Sequence, residues 1–231
     1  WSRGLGDVYK RQLYDTISGD FLPGTPEFNT NIKPWPYDPA AAIKLLDEAG
    51  WTDHDGDGIR DQNGVPFKFE MLIATAAPEW EQIATVLQEE LKRAGIQMTI
   101  RQLEWANMID AVHKRQFDSM ILGWAMDPDP DMYQLWHSSQ INGGSNYCGF
   151  NNPEADKIIE EYRESFDHAR RIELCHRFHE IEHEEQPYTF LFAPKALLGV
   201  NKRIHNAIFY PVFRDRPNLA WYVPTAQQKY K

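Results

Sequence analysis

Three stretches of this chain carry residue types at spacings that can do chemistry. His179-Glu180-Ile181-Glu182-His183 fits the H-E-x-x-H pattern. On a helix its two histidines stand one turn apart and can share a zinc ion, with Glu180 as the base of a hydrolase and His176 as a third imidazole nearby. The stretch DHDGDGIRDQNG places Asp53, Asp55, Asp57 and Asp61 at the one, three, five and nine positions of a calcium loop, with Gly58 at the sharp turn. The stretch LGWAMDPDPDMYQLWHSS offers Gly123, Trp124, Asp127 and Asp129. Glycine lets a ligand approach the backbone, tryptophan is a flat apolar wall, and a carboxylate holds an ammonium group.

Each stretch also has a plainer reading. The helix around the zinc pattern is crowded with His and Glu, which makes a chance match easy, and no third ligand with a glycine turn follows it. Its apolar stripe Ile172, Cys175, Phe178 and Ile181 sets His179 and His183 to one side of the buried face. The calcium loop has Gly64 at position twelve in place of the bidentate Glu, and a strand follows it rather than a helix; an acidic turn without metal fits the same residues. Calcium bound there would be structural. The third stretch can be a solvated acidic loop with its Trp turned into the core.

The elements that must position these groups are legible in turn. Asp38 is an N-cap with Pro39 in the first helical position, Ile43, Leu46 and Ala49 recur at helical spacing, and Gly50 is the left-handed end. Phe67 to Ile73 alternates as a strand. Glu79 to Ala94 is a helix with Ile83, Val86, Leu87 and Leu91 on one face. Ile96, Met98 and Ile100 alternate again. Trp105 to His113 is helical with Trp105, Met108, Ile109 and Val112 inward, and Phe117 to Trp124 is apolar enough for a strand buried on both faces. Strand, helix, strand, helix, strand implies parallel pairing through right-handed crossovers. Ligands in such sheets sit just past the carboxyl ends of strands, where Gly123 and Trp124 fall. Beyond lie a short helix near Met132 to Trp136, helices from Pro153 and from about Asp167 to Glu185, and strands at Tyr188 to Phe192 and Ala196 to Val200. The tail with Pro211, Pro217 and Pro224 is irregular.

Composition narrows the partners. The 231 residues are 42% hydrophobic and 25% charged, the balance of a globular protein, and the formal net charge of −10 argues against nucleic acid or an anionic membrane surface. No apolar run approaches the roughly 20 residues of a membrane helix. The two cysteines, Cys148 and Cys175, make no disulfide framework and read as two buried free thiols, with a single bridge as the alternative in an oxidising compartment. Trp1 to Gln12, WSRGLGDVYKRQ, lacks periodicity and resembles the in-frame translation of a transposase sequencing adapter; it is set aside as an artefact, with the natural sequence starting near Leu13. Leu13 to Tyr37 holds four prolines and reads as an extended connector.

From Leu13 on, the order of several segments is similar to the oligopeptide- and dipeptide-binding proteins of ABC importers, extracellular solute-binding protein family 5. YDPAAAIKLLDEAGW, the DGDG turn with FKFEMLIA, LKRAGIQMTIRQLEW, GWAMDPDPD, NNPEADKIIEE and HEIEHEEQPYTFLF carry the resemblance by their sequence and spacing together.

The resemblance implies a C-terminal fragment of an α/β, periplasmic-binding-protein-like type II protein: one lobe with a βαβαβ core and covering helices, plus remnants of the other lobe. It places 13–37 and 187–231 in lobe one and 38–186 in a solute-binding lobe two. It implies capture without catalysis, of a peptide or similar small solute, by a monomer with no cofactor. Such a protein is periplasmic or extracellular and delivers to importer membrane subunits, its signal peptide missing from this fragment. Asp127 matches the aspartate that holds a peptide's free α-amino group. A zinc hydrolase and a receptor for a non-peptide solute are the alternatives.

Overall fold

The computed structural model describes residues 14–75, 78–127, 129–195, 199–208 and 221–229. Its contacts divide the chain into two compact units: Trp35–Ala125, and residues up to Pro34 together with those from Met126 onward.

The Trp35–Ala125 unit is the expected parallel core. Helix α1 (Pro39–Glu48) starts where Asp38 Oδ1 accepts the Ala41 amide at 3.0 Å and ends at Gly50, whose φ of +84° only glycine adopts freely. A small hairpin, β2 (Asp61–Gln62) with β3 (Val65–Pro66), leads into β4 (Lys68–Ala74). Then come α2 (Pro78–Arg93), β5 (Gln97–Leu103), α3 (Trp105–His113) and β6 (Ser119–Met120). The sheet order is β5-β4-β6, all parallel. Alternation along central β4 decides the layers. Met71 and Ile73 pack with Ala84, Leu87 and Leu91 of α2, while Leu72 and Ala74 pack with Met108 of α3. A strand with both faces covered is what makes β4 almost wholly apolar.

Three expectations in this unit need correction, the first being Val86, expected on the apolar face of α2 but standing 61% exposed. The segment Phe117 to Trp124 is not a strand buried on both faces. Only Ser119–Met120 pairs, with β4 alone, and these residues are half-buried because they lie at the sheet's edge. Trp105 does not turn inward but stands 54% exposed. It opens α3 at the carboxyl end of β5, past the ends of the strands, and cover begins only at Met108.

The second unit joins both ends of the described chain. Strand β1 (Tyr14–Thr16) pairs antiparallel with β7 (Phe192–Pro194), and the Tyr14 ring meets Phe192 edge-on at 4.5 Å. Tyr14–Thr16 of the expected connector are thus a short strand, possible because the prolines start only at Pro23. The expected strand at Tyr188 to Phe192 keeps only its last residue in β7, and Ala196 to Leu198 lie outside the described residues, as do Trp1 to Gln12, Pro211 and Pro217. Between the ends run α4 (Tyr133–Trp136), a 3-10 turn at Ser138–Gln140, α5 (Pro153–Glu164) and α6 (His168–Glu185). Asn152 and Asp167 cap the two long helices through their side-chain oxygens. Trp136, Phe150, Ile159, Tyr162, Cys175, Phe178 and Phe21 fill the core. Cys175 is buried and Cys148 exposed, and they form no disulfide.

A polar knot ties residues 18–32 to α6. His179 is fully buried: its Nε2–H donates to Ser18 Oγ at 2.9 Å, and its Nδ1 accepts the Asn29 amide at 3.3 Å. The Ser18 hydroxyl in turn donates to the Ile32 carbonyl at 3.4 Å, which fixes this tautomer. One turn on, Glu182 is fully buried and accepts the Asp20 amide at 3.4 Å, while Asp20 accepts Trp136 Nε1–H at 2.7 Å. Gly19 passes so close that a Cβ there would lie 2.4 Å from His179 Cδ2 and 2.9 Å from Glu182 Oε2. α5 and α6 pack with Phe21 and the amino-terminal segment, and the contacts of the chain part between Ala125 and Met126.

Burial pushes both carboxyls of the knot upward, Glu182 well above the ordinary range, where the Asp20 carboxylate beside it adds to the effect. Among the described residues Asp20 Oδ1 and Glu182 Oε1 are buried without a hydrogen-bond partner, so a proton retained on Glu182 supplies a donor to the pair. A raised carboxyl favours the folded state below its unfolded value of about 4.3 and loses that advantage as pH climbs toward the folded value. His179 has the opposite sign: burial lowers it to about 4, so its contribution is lost as pH falls below about 6.5. Glu182→Gln removes the first effect and keeps the second. In urea unfolding the variant is expected to be more stable than the parent at pH 8, with the gap closing toward pH 4. A gap independent of pH would mean that Glu182 ionises normally in the fold.

Candidate functional site

The Gly–Trp–acid stretch falls where the chain passes from one unit to the other. In the Trp35–Ala125 unit, Gly123 and Trp124 follow β6 at the carboxyl end of the sheet, where open α/β sheets receive ligands. A side chain at Gly123 would meet open space, and Trp124 is 41% exposed, so the tryptophan is not consumed by the core.

In the other unit, the acids that follow divide into two kinds. Asp127 is exposed and makes no hydrogen bond or ion pair among the described residues. Asp129 accepts the Tyr162 hydroxyl at 2.7 Å and Arg171 Nη2 at 2.5 Å, and the Arg171 guanidinium lies 4.1 Å over the Tyr162 ring. The Tyr162 hydrogen bond, helped by Arg171, holds the Asp129 carboxyl below its usual range. Asp131 repeats the arrangement. Its Oδ1 accepts the Tyr133 amide at 3.1 Å, its Oδ2 lies 3.4 Å from Arg163 Nη2, and Arg163 sits 4.4 Å over the Tyr133 ring. Asp129, expected as a ligand residue, therefore has its charge already answered from α5 and α6. Tyr162, Arg163 and Arg171 escaped the sequence reading. Tyr162 looks like one more core aromatic, and no local spacing tells which helical arginines turn toward a loop far upstream.

The zinc pattern is part of the core. Both ring nitrogens of His179 are committed to Ser18 and Asn29, which leaves no lone pair for a metal, and the ring is fully buried where the apolar stripe set it to one side of the buried face. Glu180 pairs outward with Arg177 at 3.0 Å. No zinc hydrolase can be built on these groups.

The acidic loop is surface structure. The Asp53, Asp55 and Asp57 carboxylates approach within 4.8 Å of one another. Asp61 does not join them: it accepts the His54 amide at 3.1 Å and pairs with His54 Nδ1 at 3.0 Å. Meanwhile Asp53 accepts the amides of Gly56 and Gly58 at 2.7 and 3.0 Å, which closes the turn without an ion. Of the four expected ligands, three are thus brought together and the fourth is not.

A parallel sheet with a helix layer on each face, and an open Gly–Trp step at its carboxyl end, defines an α/β binding lobe of the type II periplasmic-binding-protein class. The family model for bacterial extracellular solute-binding proteins, family 5 (middle part), matches residues 6–146, and the chain belongs to that family, whose members bind substrates and are not enzymes. The match takes in residues 6–12 of the segment set aside in the sequence. The chain is 32% identical over 191 residues to the oligopeptide-binding protein AppA of Bacillus subtilis, covering 82% of this chain and 35% of that protein. It is 31% identical over 180 residues to di/tripeptide-binding protein 4 of Pseudomonas aeruginosa, covering 77% and 32%. The solved structure of B. subtilis AppA with a nonapeptide superposes with a TM-score of 0.82 at 30% identity, over 93% of this chain and 43% of that one. An oligopeptide-binding protein of Thermus thermophilus complexed with a pentapeptide gives 0.73 at 25% identity, over 89% and 38%. The chain spans about a third of the length of the curated relatives it matches.

Because Asp61 is committed to His54 and position twelve is Gly64, added calcium is expected to raise the melting temperature little. A site filled a hundredfold above its dissociation constant would add about 2.7 kcal/mol, which a thermal scan would show plainly. A large calcium-dependent rise that disappears in Asp57→Ala would make the loop a true ion site.

Proposed function

We propose that this chain forms part of the solute receptor of an ABC importer, that the solute is a peptide, and that Asp127 anchors the peptide's free amino group. The observation that carries the reading is the division of the acids. Among Asp127, Asp129 and Asp131, only Asp127 is exposed with its charge unanswered, and it follows directly on an exposed Gly–Trp step. An exposed carboxylate that no described residue answers suits an ammonium group. The relatives whose names specify oligopeptides and di- or tripeptides support the peptide class.

In this reading Trp124 lines the site and Gly123 leaves room for the peptide main chain, whose amides and carbonyls pair with backbone groups. Closure of two lobes by a hinge completes the site, and the closed, monomeric receptor docks on the importer's membrane subunits from the periplasmic or extracellular side. Micromolar affinity requires about 8 kcal/mol. A single charged hydrogen bond contributes roughly 1.5–3 kcal/mol. Asp127 therefore selects the end of the peptide, while backbone pairing and closure provide most of the affinity. The receptor works without a cofactor, and the acidic loop at Asp53 to Asp61 has no part in capture.

Asp127→Asn in the complete receptor is expected to weaken peptides with a free amino terminus by a few kcal/mol, the cost of leaving a buried ammonium unpaired. Amino-acetylated peptides should be affected much less. Titration calorimetry with matched free and acetylated peptides reads the difference. Equal losses for both, or none for either, would remove Asp127 from the site.

A further inference from the structure

We infer that Asp129 is a positioning residue and contacts no solute: with Tyr162 and Arg171 it pegs the acid-bearing loop to α5 and α6, and Asp131 with Arg163 and Tyr133 forms a second peg. The inference rests on the reading of Asp127 as the solute anchor.

The two pegs share one design. In each, a loop carboxylate meets an arginine whose guanidinium lies over a tyrosine ring, 4.1 Å away for Arg171 over Tyr162 and 4.4 Å for Arg163 over Tyr133. Stacking holds a planar guanidinium in one orientation, so its N–H groups are aimed before the carboxylate arrives. Tyr162 is the firmer support. Its ring is 3% exposed in the core, and its hydroxyl reaches out to Asp129. Pro130 between the pegs and Met132 just after them are buried, which fastens the same stretch through apolar contact. An anchor for an ammonium group must stand at a defined place, because a mobile carboxylate loses conformational freedom each time it binds. Among the described residues, 127 and 129–132 lie in no helix or strand that would provide that order. Fixing Asp129 does so by reach: two residues of chain span at most about 7 Å, so Asp127 is confined to a small region around the peg.

Tyr162→Phe deletes one hydroxyl, and Asp129→Asn removes the charge that both partners hold. Hydrogen exchange on the 231-residue chain reads the peg without any solute. Both variants should speed exchange of the amides at 131–136 about tenfold and leave those of Cys175–Ile181 in the core unchanged, whereas Asp127→Asn should change neither. In the complete receptor, both peg variants should weaken free-amine peptides more than acetylated ones, and less than Asp127→Asn does, since they blur the place of Asp127 without removing its charge. Exchange at 131–136 identical to the parent in both variants would overturn the peg. So would a selective loss of free-amine peptides in Asp129→Asn that is absent from Tyr162→Phe, which would make Asp129 a direct ligand. A global acceleration of exchange that includes Cys175–Ile181 would assign these residues to general stability and also overturn it. If the parent receptor binds no peptide, the proposed function fails, while the exchange result still stands or falls on its own.

Discussion

A polar side chain taken out of water must find its partners inside, and α6 buries two such groups a single turn apart. His179 and Glu182 have no partners on their own helix. Ser18, Asp20 and Asn29 supply them, with Trp136 closing the circuit through Asp20. Burying an imidazole or a carboxyl without such bonds costs on the order of a few kcal/mol each. The requirement therefore brings the amino-terminal segment to one place on a helix some 150 residues later in sequence. Apolar packing by Phe21, Trp136 and Phe178 adds most of the stabilisation, but it tolerates sliding. The polar knot sets the register.

The parallel unit was nearly all legible beforehand because its signals are local. Proline and aspartate at the start of α1, glycine at its end, and the two alternating strands on either side of α2 each state their own conformation. Where the reading went astray, the cause was distance. Phe117 to Trp124 has the composition of a central strand, yet edge or centre depends on how many neighbours the sheet has. His179 fits a metal-ligand pattern beside the buried face as long as Ser18 and Asn29 are out of view. Helices α5 and α6 are legible in sequence, but nothing in Pro153 to Glu185 says that Phe21 will pack there.

The loop acids show the same limit at the scale of single charges. Asp127, Asp129 and Asp131 alternate along one stretch and are chemically identical in sequence. Their roles separate only when Tyr162, Arg163 and Arg171 arrive from helices that fold against the loop. Spacing alone could suggest that the stretch binds a cation. It could not tell that Asp129 and Asp131 meet the protein's own guanidinium groups. A similar economy explains the Asp53 to Asp61 turn, where Asp53 is spent on the amides of Gly56 and Gly58 and Asp61 on His54.

Gly19 has a consequence for how this sequence can drift over generations. A methyl group there would collide with the His179 ring and the Glu182 carboxylate together, and neither is a flexible surface chain that can swing aside. Position 19 is thus bound to positions 179 and 182 as a set. A lineage that acquires a side chain at 19 must exchange the buried imidazole or carboxyl for something smaller at nearly the same time. The three positions should therefore covary across related sequences, and a homologue that keeps a glycine at 19 without the histidine would mark where the knot has been replaced by ordinary apolar packing.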